Sequence, residues 1–300
     1  MLQTFDPRNK DLMVYINGEL IHRDKAGVSV FDSVVQGGDA VWEGLRIYDG
    51  RVFCLDKHLD RLFDSAQAMA FKGIPTREEV SLAVFQTLRA NNMRDDTHLR
   101  LTLTRGTKIT SGMDPRLNQN GCTLIVLAEW KPPVYDNEGG ITVITSSIQR
   151  NSPRHLDSKI HHNNLINNIL AKIQANVAEA DAALMLDAYG FAAELNGTNI
   201  FMARNGTIYT PHADACLHGI TRGLVIELAE QLGIPLIEKN ISLTELYAAD
   251  EVFCSGTMGE LTPITHIDGR EIRRTDNSLV PALTSALHAL VPKYGVPIPE

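Results

Sequence analysis

Short runs in which apolar and polar residues alternate at a period of two recur through both halves of the chain, and they restrict its fold more than any other feature. In the first half they are DLMVYINGELI at 11–21, with Asn17-Gly18 as a turn, RVFCL at 51–55, HLRLTLTRG at 98–106 and CTLIVLAEW at 122–130. Successive side chains of a strand leave on opposite faces, so such runs predict sheet. Between them Leu55, Leu59, Leu62, Phe63, Ala66 and Met69 recur at helical spacing. A second helical run extends from Thr76, an N-cap ahead of Glu78 and Glu79, to Asn91. After Trp130 the text KPPVYDNEGG breaks every pattern and predicts a linker at 131–140.

The second half opens with a strand at 140–148, then a helix from about Asn163 to Ala178. Strands follow at 182–187, at 199–211 as a hairpin turning on Asn205-Gly206, and at 251–257, with a helix at 219–233. The expected architecture is α/β in the broad sense, an α+β fold of two domains. A smaller N-terminal α+β domain covers 1–130, a linker 131–140, and a larger C-terminal mixed α/β domain 141–300.

Composition removes several classes of function. The 300 residues are 44% apolar and 21% charged, with a mean hydropathy of −0.09, which is ordinary for a globular protein. Lys and Arg number 28 against 36 Asp and Glu, a net charge of −8 with no basic patch, so neither nucleic acid nor an anionic membrane is an expected partner. Cys54, Cys122, Cys216 and Cys254 are widely spaced and form no Cys-x-x-Cys pair, which reads as buried thiols in a reducing compartment. The first twenty residues lack the apolar core of a signal peptide, and no stretch approaches a membrane span; a cytoplasmic location is the expectation.

Four features of the second half could carry chemistry. Lys159 lies in RHLDSKIHHNN just before a helix, where its amine has a fixed backbone position. Taken alone it is a surface lysine. Glu194 sits in a small, apolar setting, DAYGFAAELNGTNIF, where a buried carboxylate needs a partner. The segment His218-Gly219-Ile220-Thr221-Arg222 opens a helix whose first N–H groups are unsatisfied, and such an end accepts anions as well as a simple cap. Ser255-Gly256-Thr257-Met258-Gly259-Glu260 is a small-residue turn able to present N–H groups to an anion. An amine for an imine, a carboxylate for a pyridinium nitrogen and two phosphate-cradling turns together are what pyridoxal 5'-phosphate requires.

At these residues the chain resembles the class IV, fold type IV, aminotransferases: branched-chain aminotransferases, D-amino acid aminotransferases, (R)-amine transaminases and aminodeoxychorismate lyase. The ordered set is Lys159, Glu194 with Asn199, Gly219-Ile220-Thr221-Arg222 and Ser255-Gly256-Thr257. In the first half Val41-Trp42-Glu43-Gly44-Leu45-Arg46-Ile47-Tyr48 resembles the branched-chain motif V-F-E-G-I-R-x-Y, and His58-Leu59-Asp60-Arg61-Leu62 resembles H-x-x-R-L. The likeness runs from about Val14 to Gly269. It implies that Lys159 is the Schiff-base lysine and proton carrier and that Glu194 pairs with the ring nitrogen. It also implies that Arg61, Ile220, Thr221, Gly256 and Thr257 hold the cofactor, chiefly its phosphate. A homodimer is implied as well.

For substrate the resemblance points to Trp42, Arg46, His98, Arg100, Thr257 and Met258, and to an L-branched-chain-type amino donor with 2-oxoglutarate as acceptor. The alternatives are a D-amino acid or (R)-amine transaminase of the same fold and an aminodeoxychorismate-type lyase. This chain departs from the family pattern in three places. His98-Leu99-Arg100 stands where branched-chain enzymes have Tyr-x-Arg, Asn164 stands where they often have Tyr, and Thr198 stands for the second acid of E-G-x-G-E-N. His155, His161 and His162 lack the spacing of a metal site and read as a polar rim around the lysine, so no metal is expected.

Overall fold

The computed structural model describes residues 3–273 and 278–300. They form two compact units that do not follow the chain in two simple halves. The first holds Gln3–Pro132, Ile160–Asn164 and Val291–Glu300, and the second holds Pro133–Lys159 and Leu165–Leu290.

In the first unit β1 (Met13–Ile16) and β2 (Glu19–His22) form the hairpin expected from Asn17-Gly18. After the short α1 (Ser33–Gly37) come β3 (Ala40–Tyr48), β4 (Arg51–Phe53), α2 (Leu55–Ala68), α3 (Arg77–Ala90), β5 (Thr97–Thr104) and β6 (Thr123–Trp130). The sheet runs β4-β3-β5-β6-β1-β2, with a C-terminal strand Gly295–Pro297 added beside β4. α3 starts where the sequence places it, because the side chains of Thr76 and Glu79 cap each other's backbone N–H groups. β3 and β5 pair from Ala40↔Thr104 to Ile47↔Thr97. That register puts Val41, Leu45, Leu99, Leu101 and Leu103 on one face, where they are fully buried with Leu59, Leu62, Val84 and Leu88 of α2 and α3. It puts Trp42, Gly44, Arg46, His98, Arg100 and Thr102 on the other.

The second unit contains β7 (Ile141–Thr145), α4 (Ile166–Val177), β8 (Ala182–Leu186), β9 (Ala192–Leu195), β10 (Asn199–Arg204) and β11 (Thr207–Thr210). It continues through α5 (Ile220–Gln231), β12 (Leu236–Glu238), α6 (Leu243–Tyr247), β13 (Glu251–Gly256), β14 (Glu260–Ile267), β15 (Arg270–Glu271) and α7 (Val280–Ala289). Its sheet runs β12-β11-β10-β13-β14-β7-β8-β9, with β15 paired to β14. The β11–β12, β14–β7 and β7–β8 pairings are parallel and the rest antiparallel, which makes it a mixed sheet.

Three stretches depart from the division expected from sequence. The stretch 131–140 is no free linker: from Pro133 it belongs to the second unit, where Val134 N–H donates to the Met258 carbonyl at 3.1 Å and Thr262 Oγ1 donates to Asn137 at 2.8 Å. Residues 160–164 and 291–300 belong to the first unit. Trp42 N–H donates to the His161 carbonyl and Asn163 N–H to the Ala40 carbonyl, each at 2.9 Å, and Gly295 pairs with Phe53.

Leu99 is fully buried at the centre of the first unit's core. Leu99→Ala should lower the unfolding free energy by about 2–5 kcal/mol, the cost of lost apolar burial plus the cavity left behind. Urea titration checks this, and a loss below about 1 kcal/mol would contradict the packing described.

Candidate active site

The second unit gathers one set of expected groups. Lys159 ends a polar turn with its side chain 38% exposed. Its backbone N–H and its Nζ both donate to Asp157 Oδ1, at 3.0 and 3.2 Å. Glu194 lies on β9, 5% exposed, facing an ionic partner that the sequence did not signal. Arg150 Nε donates to Glu194 Oε1 at 2.5 Å, and each side chain is only 6% exposed. Oε2 accepts from Asn199 Nδ2 at 3.1 Å and from Leu217 N–H at 3.3 Å.

α5 begins at Ile220 and Thr221, and its N-cap Gly219 offers no side-chain hydrogen bond. The turn holding Thr257 and Met258 leaves β13 at Gly256 and is closed by a hydrogen bond from Gly259 N–H to the Gly256 carbonyl at 3.2 Å. Three buried polar atoms around these elements lack a hydrogen-bond partner: Arg150 Nη1, Arg222 Nε and Ser255 Oγ. Cys216 reports how closely the charges gather. Burial, then the Glu194 charge, pushes its thiol up to about 12, while Arg222, Arg150 and Lys159 pull the other way.

These residues fit pyridoxal phosphate. A lysine amine, a buried ionic carboxylate, an uncapped helix start and a tight turn all belong to one unit, and orphaned buried polar atoms stand among them.

The remaining expected residues belong to the first unit, where Arg61 lies on one face of the sheet and Trp42, Arg46, His98 and Arg100 on the other. Glu43 on β3 is fully buried beneath α2, whose His58, Arg61 and Ser65 fall at helical spacing on one face. Arg61 donates from Nε to Glu43 Oε1 at 2.8 Å and from Nη2 to Oε2 at 2.6 Å. His58 Nδ1 lies 2.6 Å from Oε2 and His161 Nδ1 lies 3.1 Å from Oε1. Burial alone would favour the neutral acid, but Arg61 and His161 outweigh it and hold Glu43 well below the usual carboxylate range. Arg61, expected at the cofactor phosphate, therefore has two guanidinium nitrogens committed to Glu43.

The opposite face of the same sheet is cationic. Arg100 lies 3.9 Å from the centroid of the Trp42 ring, which also packs on His161 at 4.1 Å. Arg46 Nη1 donates to the Lys131 carbonyl at 2.7 Å, while Arg46 Nε and His98 Nε2 are buried without a hydrogen-bond partner. Gly44 leaves room for the imidazole, since a Cβ there would lie 3.2 Å from His98 Nε2. The His155, His161 and His162 side chains go to separate partners, Ser152, Glu43 and the Asn164 N–H. Among the described residues no group of three or more His, Cys, Asp or Glu could hold a metal ion.

Sequence reasoning singled out neither Arg150 nor Glu43. A lone arginine in a polar stretch carries no signal, and Glu43 is only one letter of the branched-chain-like motif until the strand register is known.

The family model for amino-transferase class IV matches residues 40–267. The chain is 58% identical over 294 residues to branched-chain-amino-acid aminotransferase-like protein 2 of Arabidopsis thaliana, covering 98% of this chain and 53% of that protein. It thus spans about half the length of that curated relative. It is 42% identical over 277 residues to a putative branched-chain-amino-acid aminotransferase of Methanocaldococcus jannaschii, covering 92% of this chain and 94% of the relative. Among solved structures it resembles the T.th. branched-chain amino acid aminotransferase complexed with N-(5'-phosphopyridoxyl)-L-glutamate. There the TM-score is 0.88 at 31% identity, covering 97% of this chain and 99% of that one.

The buried imidazoles yield a pH prediction. Burial, with Lys131, Arg46 and Arg100 nearby, pushes His98 down to about 3. Burial lowers His161 to about 4 and also lowers His58, despite the Glu43 carboxylate beside both. Unfolded imidazoles titrate near 6.5, so between about pH 6.5 and 4 the unfolded chain binds protons that the folded chain does not, and stability rises with pH across that window. The melting temperature should fall steadily from pH 7 to 4.5. His98→Gln should remove up to ~1.4 kcal/mol per pH unit of that slope. A flat profile in differential scanning fluorimetry would contradict the neutral buried imidazoles.

Proposed function

This chain belongs to the amino-transferase class IV family, and on that premise we propose that it is a pyridoxal-phosphate-dependent transaminase moving an amino group from an L-branched-chain-type amino acid to 2-oxoglutarate. The observation that carries the reading is the grouping, within one unit, of Lys159, the buried Glu194, the uncapped start of α5 and the Gly256–Met258 turn. The chemistry supplied by pyridoxal phosphate when bound is covalent capture of an amino group and a ring that accepts electrons.

Everything else falls to the chain's own side chains. Lys159 Nζ would hold the cofactor covalently, and the same amine would carry a proton to and from the substrate Cα. Asp157 steers that amine and keeps its backbone fixed. Glu194, as a carboxylate, stabilises a protonated ring nitrogen by charge pairing, which a neutral amide could not do. The N–H groups of Ile220, Thr221 and Thr257 hold the phosphate, helped by the positive end of α5. Arg61 takes part only with a guanidinium that Glu43 already orients.

For the substrate, the first unit offers Trp42 as an apolar wall and Arg46, His98 and Arg100 as donors for a carboxylate; within the second unit Gly256, Thr257 and Met258 are the residues assigned to substrate. The glutamate adduct of the T.th. enzyme supports glutamate and 2-oxoglutarate as one substrate pair. A homodimer is part of the reading. It is supported by Ile166, Ile169, Ile173 and Val177, which stand exposed at helical spacing along α4. Among the described residues no helix is long and apolar enough to cross a membrane.

Borohydride reduction of the cofactor-loaded protein followed by peptide mapping should place the pyridoxyl group on Lys159; a label on another lysine would remove the central assignment. A donor panel with 2-oxoglutarate should show turnover of L-leucine, L-isoleucine or L-valine. Turnover of D-alanine or an (R)-arylamine alone would reassign the substrate class and leave the cofactor assignment intact. Arg46→Ala should raise KM for 2-oxoglutarate more than for pyruvate, by roughly ten-fold, the equivalent of one charge-assisted hydrogen bond. Equal effects on both acceptors would remove Arg46 from the distal carboxylate.

A further inference from the structure

Glu194 is held by more machinery than binding to a ring nitrogen requires. Its two oxygens have separate partners. Oε1 faces Arg150 Nε at 2.5 Å, and Oε2 faces Asn199 Nδ2 and the Leu217 N–H. A guanidinium keeps its charge in a protein, so a carboxylate buried against it balances that charge as an anion. Arg150 is itself fixed by its backbone, whose N–H donates to the Leu186 carbonyl at 2.8 Å at the end of β8, the strand paired with β9.

Asn199 reaches in two directions. Its Nδ2 donates to Glu194 Oε2 and also to the Leu217 carbonyl at 3.0 Å, two residues before the N-cap of α5. Its Oδ1 occupies the space a side chain at position 219 would need, because a Cβ on Gly219 would lie 2.0 Å from it. Gly219 has φ −61° and ψ 135°, which any L-residue adopts, so no backbone requirement explains a glycine there. The principal obstacle to a Cβ is Asn199.

We propose that Arg150 and Asn199 are positioning residues that hold Glu194 ionised and aimed at the cofactor ring nitrogen, and that position 219 is glycine because a side chain there would evict Asn199. The proposal rests on the assignment of Glu194 made above. It makes one assembly of the ring acid and the start of the phosphate-binding helix: Asn199 is hydrogen bonded to the acid on one side and to the approach to α5 on the other. A shift of Asn199 would then disturb the acid and the helix start together.

Two measurements on the full chain test this. The first follows the visible absorbance of bound pyridoxal phosphate against pH in the wild type and in Glu194→Gln, Arg150→Met, Arg150→Lys and Asn199→Ala. Glu194→Gln should move the midpoint by about one pH unit or more, the scale expected when a buried charged contact is lost. Arg150→Met and Asn199→Ala should move it in the same direction, and Arg150→Lys should restore it in part, a pattern that loss of packing alone would not give. Should Arg150→Met fail to fold, Arg150→Lys and Asn199→Ala read the same midpoint.

The second measurement is the melting temperature of the cofactor-free protein in a double-mutant cycle. Gly219→Ala should lower it by several degrees in the wild type and by little or nothing in Asn199→Ala, where the space is open. Wild-type midpoints in Arg150→Met and Asn199→Ala beside a shifted Glu194→Gln would overturn the clamp while leaving the Glu194 assignment standing. An unshifted Glu194→Gln would overturn that assignment and the clamp with it. Equal thermal cost of Gly219→Ala in both backgrounds would overturn the explanation of the glycine.

Discussion

A carboxylate taken out of water without a compensating charge costs several kcal/mol, and each unit of this protein contains a buried glutamate whose partners come from separate stretches of chain. Glu43 draws on His58 and Arg61 from a helix and on His161 from a segment 118 residues away. Glu194 draws on Arg150, 44 residues earlier, and on Leu217, 23 residues later. Such pairs contribute little net stability compared with apolar side chains of the same volume, but breaking one leaves an unmatched buried charge. The interactions therefore fix geometry more than they raise the unfolding free energy, and fixed geometry is what a site with an amine, an acid and an anion cradle requires.

The path of the chain through the two units follows from the same requirement. Residues 160–164 belong to the first unit because their backbone pairs with the edge of β3 and because His161 is a partner of Glu43. Lys159 immediately precedes them. Its own N–H is tied to Asp157, so the backbone around the lysine is hydrogen bonded both before and after its α-carbon. A reactive amine on a four-carbon stem is flexible; fixing the backbone that carries it reduces the volume its Nζ explores.

Elements with one dry and one wet face are legible in the sequence. The β1–β2 hairpin follows from Asn17-Gly18 and α3 from Thr76 with its first-turn acids, since turn and cap chemistry is local. β3 is not legible as a strand, because it is buried on both faces and carries Glu43 and Arg46 into the interior, so its alternation is lost. β14 carries Pro263 inside a strand, and α7 opens with a proline in its first turn. The stretch 131–140 reads as a linker because its glycines and acids look like punctuation. In the structure Asp136 Oδ1 accepts from the Glu138 and Gly139 N–H groups, and the left-handed Gly140 has no room for a side chain, which is tight turn chemistry instead of slack. In the site, Lys159 and Glu194 stand out through their neighbours. Arg150 does not, because its role exists only once β8 and β9 are paired.

The exchange of a tyrosine for His98 is the departure from the branched-chain pattern that the structure clarifies most. On sequence alone His98 marks only the loss of a phenol beside Arg100. In the structure, burial, Lys131, Arg46 and Arg100 keep the imidazole neutral well below physiological pH. Its Nε2, buried without a hydrogen-bond partner, then behaves as an uncharged hydrogen-bonding group, much as a phenol would. The positive character of this face comes from Arg46 and Arg100 with Lys131 nearby, and the histidine adds no charge to it. A face that carries two arginines and a neutral imidazole still suits an anion, and the imidazole stands close against Gly44, where a Cβ would lie 3.2 Å from its Nε2.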